Sequence, residues 1–127
     1  MTILQDDVIL FDSVKFNNGS GYNATSGVFV APLSGFYVLN LVLEVRSEAA
    51  LRMEMMLNVN DTSIMKLFIA GETNSLGGHQ QSGSLVYHLP AGSEVKVVVG
   101  VIVTETDSAP VQVQNENLSY FSGYYLG

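Results

Sequence analysis

Short runs rich in valine, isoleucine, phenylalanine and tyrosine follow one another along this chain, each closed by a cluster of glycine, proline, asparagine or serine. That rhythm leaves little room for helix and points to an all-β sandwich or barrel, because β-branched and aromatic residues fit a pleated, half-buried surface while turn residues tolerate tight geometry. Strands are expected over residues 8–16, 28–31, 36–45, 51–58, 64–70, 85–89, 95–103, 111–114 and 119–126. Turns are expected over 31–35, 58–63 and 90–93. The stretch 47–57 is rich in helix formers and competes for helix. Yet Leu51, Met53, Met55 and Leu57 alternate with Arg52, Glu54, Met56 and Asn58, and that period of two selects strand.

Two of these runs, 36–45 and 95–103, are apolar on both alternating faces. One face of such a strand meets its own core, and the other is expected to meet a second subunit. Composition agrees: hydrophobic residues make up 47% of the chain and charged ones only 13%, an apolar balance that implies covered surface and self-association. Gly100, inside the second run, is expected to mark a bulge or a close backbone approach.

The 127 residues suit a single domain spanning 1–127. With no cysteine, disulfides, zinc–thiolate sites and cysteine nucleophiles are excluded together. The formal charge is −7, and the cations are Lys15, Arg46, Arg52, Lys66 and Lys96. They form no basic stripe, so neither nucleic acid nor an anionic membrane is expected as a partner. The longest apolar stretch, 97–103, is far short of the roughly 20 residues a membrane-spanning helix needs. Residues 1–7 lack a basic then apolar leader pattern, so any secretion signal is expected to lie outside this sequence.

The run Gly21-Tyr22-Asn23-Ala24-Thr25-Ser26-Gly27-Val28-Phe29-Val30-Ala31-Pro32-Leu33-Ser34-Gly35-Phe36-Tyr37 resembles the signature of the C1q globular-head domain. Ile9-Leu10-Phe11-Asp12 before it, Ser82-Gly83-Ser84-Leu85 with Gly92 after it, and Phe121-Ser122-Gly123-Tyr124 near the end fall in the family's order. The resemblance implies a jelly-roll sandwich of about ten strands in two antiparallel sheets, related to the tumour-necrosis-factor fold and assembled as a trimer. The family's first edge strand would be truncated or absent here. Residues 53–60 and 70–72 are similar to the stand-alone C1q-domain proteins of molluscs, which implies an extracellular, lectin-like recognition role in innate immunity.

In that frame, the loops 46–52, 71–81 and 104–110 are expected at the end of the sandwich away from both termini. Binding residues usually sit on such loops. The candidates are Arg46, Arg52, Glu72, His79, Glu105 and Asp107, and the ligand expected is a carbohydrate or another microbial surface pattern. A guanidinium can hold a carboxylate through two hydrogen bonds, which would suit an acidic sugar; plain strand-end charges are the alternative. Some family members hold calcium just before the segment matching 80–84, where this chain has His79. No cofactor is required, and three-fold sharing of Glu72 is the best route to a calcium site, since the ion wants six to eight oxygens. The resemblance also makes Tyr37, Tyr87, Tyr120 and Phe121 candidates for the trimer seam, with core packing as the alternative. Sequons occur at Asn18, Asn23, Asn60 and Asn117 and hint at secretion. Two histidines in unrelated places, with no nucleophile beside a base, make no catalytic triad, so no enzyme is expected. Rival readings are a cytokine-like or synaptic-organiser-like ligand, and a trimerisation head with no ligand of its own.

Overall fold

A computed structural model describes residues 1–11, 14–16, 21–47, 50–71, 79–104, 110–114 and 119–127. Among these, eleven strand segments form two sheets: β1 Thr2–Ile3, β2 Val14–Phe16, β3 Tyr22–Asn23, β4 Val28–Val30, β5 Gly35–Ser47, β6 Leu51–Val59, β7 Thr62–Gly71, β8 His79–Leu89, β9 Glu94–Thr104, β10 Val111–Val113 and β11 Tyr120–Tyr125. β5 is the spine of the first sheet. Its one edge pairs with β8 along nearly its full length, and its other edge carries β11 and then β10, with β2 outside β11 and β1 outside β10. The second sheet runs β3-β4-β9-β6-β7. Every pairing is antiparallel except that of β2 with β11, which is parallel.

The core fills the space between the sheets, and period-two alternation decides who enters it. On β5 the odd-numbered residues Tyr37, Leu39, Leu41, Leu43 and Val45 are buried, and on β6 Leu51, Met53, Met55 and Leu57 face them. The helix competitor over 47–57 is thereby resolved as strand. Gly100 fulfils both expectations for it. The ladder between β6 and β9 shifts register between Met53 and Met55, so Gly100 and Val101 together oppose Glu54. The Glu54 side chain lies where a Cβ at Gly100 would stand. Past the bulge the facing reverses: Val97 and Val99 are buried, whereas Val101 and Val103 face solvent. Gly100→Ala is expected to cost about 1–3 kcal/mol by overpacking, read as a lower midpoint in urea.

Two strand expectations need correction, and two short strands were not expected. The stretch 8–16 is not one strand. Residues 6–9 run along β9, with Asp6 N–H donating to Val99 O at 2.8 Å, Val99 N–H to Asp7 O at 2.8 Å and Ile9 N–H to Val97 O at 2.9 Å, while β2 belongs to the other sheet. A largely apolar run, broken by Asp12, Ser13 and Lys15, cannot show that its two halves serve different sheets. β8 begins at His79 instead of residue 85, because Gln80 to Ser84 pair residue by residue with β5; pairing overrides their low strand propensity. β1 and β3 have two residues each, too few to leave a period.

The β6–β7 hairpin closes on Asn60 and Asp61, with φ of 47° and 66°, the doubly left-handed geometry of a tight hairpin turn that asparagine and aspartate tolerate. Asn60 also holds β9: its N–H donates to Glu94 O at 2.9 Å and its Oδ1 accepts Glu94 N–H at 2.9 Å. The nearby Lys96–Asp61 ion pair at 3.0 Å is largely solvent-exposed on the aspartate side and adds little.

Candidate functional site

One end of the sandwich is built from the last residues of β5, β7 and β9 and the first of β6, β8 and β10. It is the end at which the loops were expected, with one correction. Gly127 lies at the opposite end, where its carbonyl accepts Phe36 N–H at 3.3 Å. The amino terminus, however, lies on the loop side: the Met1 amine donates to Val113 O at 3.1 Å, and Thr2 pairs with Gln112 beside Arg46. Among the described residues the short β1 pairs with β10 alone, and residues 6–9 then run along β9.

The three described candidates at this end point in three directions. Arg46 is an even-numbered residue of β5 and projects from the outer face of the first sheet. Arg52 is an even-numbered residue of β6, flanked by Ala70 and Val103, and projects from the outer face of the second. His79 opens β8 opposite Val45, half-buried, with its imidazole against Gly71 across the gap between the sheets. Two arginines on opposite faces of a sandwich about 10 Å thick cannot clamp one carboxylate within a chain. Arg52 instead borders a shallow cleft of about 580 Å³ lined by Ala50, Leu51, Ala70, Gly71, Val103 and Thr104. Glu72, Glu105 and Asp107, and with them the calcium route, lie outside the described residues, as do Asn18 and Asn117. Among the described residues no three histidine, aspartate or glutamate side chains could hold a metal ion.

The four seam candidates divide. Tyr37 and Phe121 are interior, 2% and 1% exposed, and offer no surface to another copy. Tyr37 O–H donates to Leu33 O at 2.7 Å and accepts Leu33 N–H at 3.2 Å, and its ring meets Phe29 and Tyr125 edge-on. Phe121 packs against Phe11 and Tyr22. Tyr87 is 37% exposed, at the open edge of the first sheet. Tyr120 stands on that sheet's outer face beside Val42, where Asn40, Ser82, Ser84 and Ser122 line a shallow groove.

That outer face is the larger feature. Phe36, Val86 and Tyr124 project from three adjacent strands with Val38 between them, and His88 meets the Phe36 ring edge-on at 5.1 Å. Toward the loop end the same face turns polar through Asn40 and Ser84 to Glu44 and Arg46. The doubly apolar run 36–45 signalled it; Val86 and Tyr124 gave no separate signal.

In the Gly-Tyr-Asn segment, burial raises the Tyr22 pKa, opposed by the Phe11 N–H that donates to its hydroxyl at 3.0 Å. A phenol pKa above its unfolded value means stability is fully present below about pH 10 and declines as pH rises through the folded value. Tyr22→Phe is therefore expected to flatten the alkaline limb of a stability-versus-pH curve, at a cost near neutrality from the unpaired Phe11 N–H.

The model of the C1q domain family matches residues 1–126. The chain belongs to the C1q domain family. It is 34% identical over 93 residues to the heavy metal-binding protein HIP of Mytilus edulis, covering 73% of this chain and 42% of that one. It is 29% identical over 118 residues to protein HP-25 homolog 2 of Bos taurus, covering 93% and 49%. This C1q domain thus spans about half the length or less of those curated relatives. Among solved structures, the globular domain of zebrafish complement 1qA superposes with a TM-score of 0.52 at 16% identity, covering 99% of this chain and 94% of that one. That match, with the observed sheets, establishes the jelly-roll fold.

Proposed function

We propose that this C1q domain is an extracellular, non-enzymatic recognition module that works as a homotrimer and binds carbohydrate or other microbial surface ligands through its loop end. The observation that carries the reading is the outer face of the first sheet. Phe36, Val86 and Tyr124 are 50%, 57% and 45% exposed side by side, a contiguous apolar surface that a soluble chain keeps when something covers it. Covered by two further copies, it would set three loop ends side by side, so that weak single-site binding gains avidity. Membership of the C1q family supports both the extracellular setting and a binding role.

Within the loop end, Arg46 and His79 are the described side chains best placed to contact ligand; Glu72, Glu105 and Asp107, outside the described residues, remain candidates from the sequence. A glycan array tests this. Reproducible saccharide binding that is lost in Arg46→Ala or His79→Ala, with the oligomer intact, is the expected result. Tight, sugar-independent capture of one receptor protein would instead favour the cytokine-like reading, and intact trimers with neither activity would leave a trimerisation head.

A further inference from the structure

The outer face of the second sheet carries a feature separate from the apolar face of the first sheet and from Arg46 and His79. Phe68, Val101 and Val103 are 61%, 49% and 56% exposed, and the register brings them around Arg52 and Glu54: Ala70–Arg52–Val103 form one row, and Phe68–Glu54 with the Gly100–Val101 bulge form the next. The bulge creates the patch. By reversing the facing of β9 it turns Val101 and Val103 outward, where an uninterrupted strand would have turned Val103 toward the core. The Glu54 side chain, its carboxylate included, lies across Gly100, and Arg52 is the one charged residue among the described residues that line the cleft. Arg52 forms no hydrogen bond or ion pair among the described residues, and neither does Lys66, two positions before Phe68 on the same face. Lys96, lower on the same face, is already engaged by Asp61. In a chain of charge −7, a guanidinium with no partner among the described residues, framed by exposed apolar side chains, selects an anion with an apolar body.

We propose that this patch docks an extended segment of a partner protein in which a carboxylate side chain is flanked by apolar ones. The carboxylate would take the Arg52 fork in a two-point contact, while its apolar neighbours cover Val103 and Phe68. A saccharide suits the patch poorly. Beside Arg52 and Thr104, the described lining of Ala50, Leu51, Ala70, Gly71 and Val103 offers no side-chain hydrogen-bonding group, and each hydroxyl buried unpaired against it would cost about 1–3 kcal/mol. A segment of a few residues buries less than the roughly 800 Å² per partner of a stable interface, so a single site binds weakly.

The test is an NMR titration of the isotope-labelled chain with an acetylated, amidated pentapeptide alternating leucine and glutamate, beside its leucine–glutamine counterpart. The glutamate peptide is expected to shift the backbone amides of Arg52, Phe68, Ala70 and Val103. About tenfold weaker binding is expected for the glutamine peptide, and likewise for Arg52→Gln with the glutamate peptide, as for loss of one charge-assisted contact; Phe68→Ser should weaken the glutamate peptide to a similar degree by removing apolar contact area. Val30→Ser, at an exposed apolar residue on β4, should change nothing. Equal binding of both peptides, shifts centred on another surface, or no shift at millimolar peptide would overturn the proposal. None of these outcomes bears on glycan binding through Arg46 and His79.

Discussion

Tyr37→Ala is expected to destabilise the isolated chain by about 3–5 kcal/mol, and Tyr37→Phe by about 1–3 kcal/mol, both measured by urea denaturation at low protein concentration. The alanine change empties a fully buried site between the sheets, where the ring meets Phe29 at 6.2 Å and Tyr125 at 5.2 Å between centroids. The phenylalanine change keeps the packing and deletes only the hydroxyl, leaving Leu33 N–H and C=O without the partner that pins the turn between β4 and β5. A seam residue would behave differently. Its loss would lower the oligomer's dissociation midpoint and leave the stability of a dilute monomer nearly unchanged, so the two variants decide between the core and seam roles of Tyr37.

Phe121→Ala is expected to be similarly severe, about 3–5 kcal/mol, with a different signature. The Phe121 ring meets Phe11 at 6.1 Å and Tyr22 at 6.4 Å, so it joins β11 to the amino-terminal segment and to β3 of the opposite sheet. Hydrogen exchange should therefore quicken first at Ile9 and Val30, whose amides donate to Val97 O and Gly21 O, before the centre of β5 is affected. Uniform loss of protection across both sheets would show instead that the chain opens as one unit.

Strand positions were legible because a buried strand writes its alternation into the sequence. Leu51 to Leu57 gave the β6 period against a helix-forming composition, and Gly100 stood out inside a valine run. What the bulge does to facing was not legible: the reversal that exposes Val101 and Val103 depends on the register with β6, a pairing between distant segments. For the same reason Arg46 and Arg52, six positions apart, read as neighbours on one loop although their strands lie in different sheets. Gln80 to Ser84 read as loop because their pairing with β5 is a tertiary fact. The family signature, in turn, indicated Tyr37 and Phe121 as aromatic and important, but a ring at a seam and a ring in a core look alike in sequence. Burial separates them.

Light scattering coupled to size-exclusion chromatography, run in calcium and again in chelator, is the most direct test of the chain as a trimeric recognition module. A mass of three chains in both buffers is the predicted result, with Val86→Glu and Tyr124→Glu each shifting it toward one chain. A monomer of the unaltered protein at micromolar concentration would contradict it, leaving Phe36, Val86 and Tyr124 exposed without a partner copy.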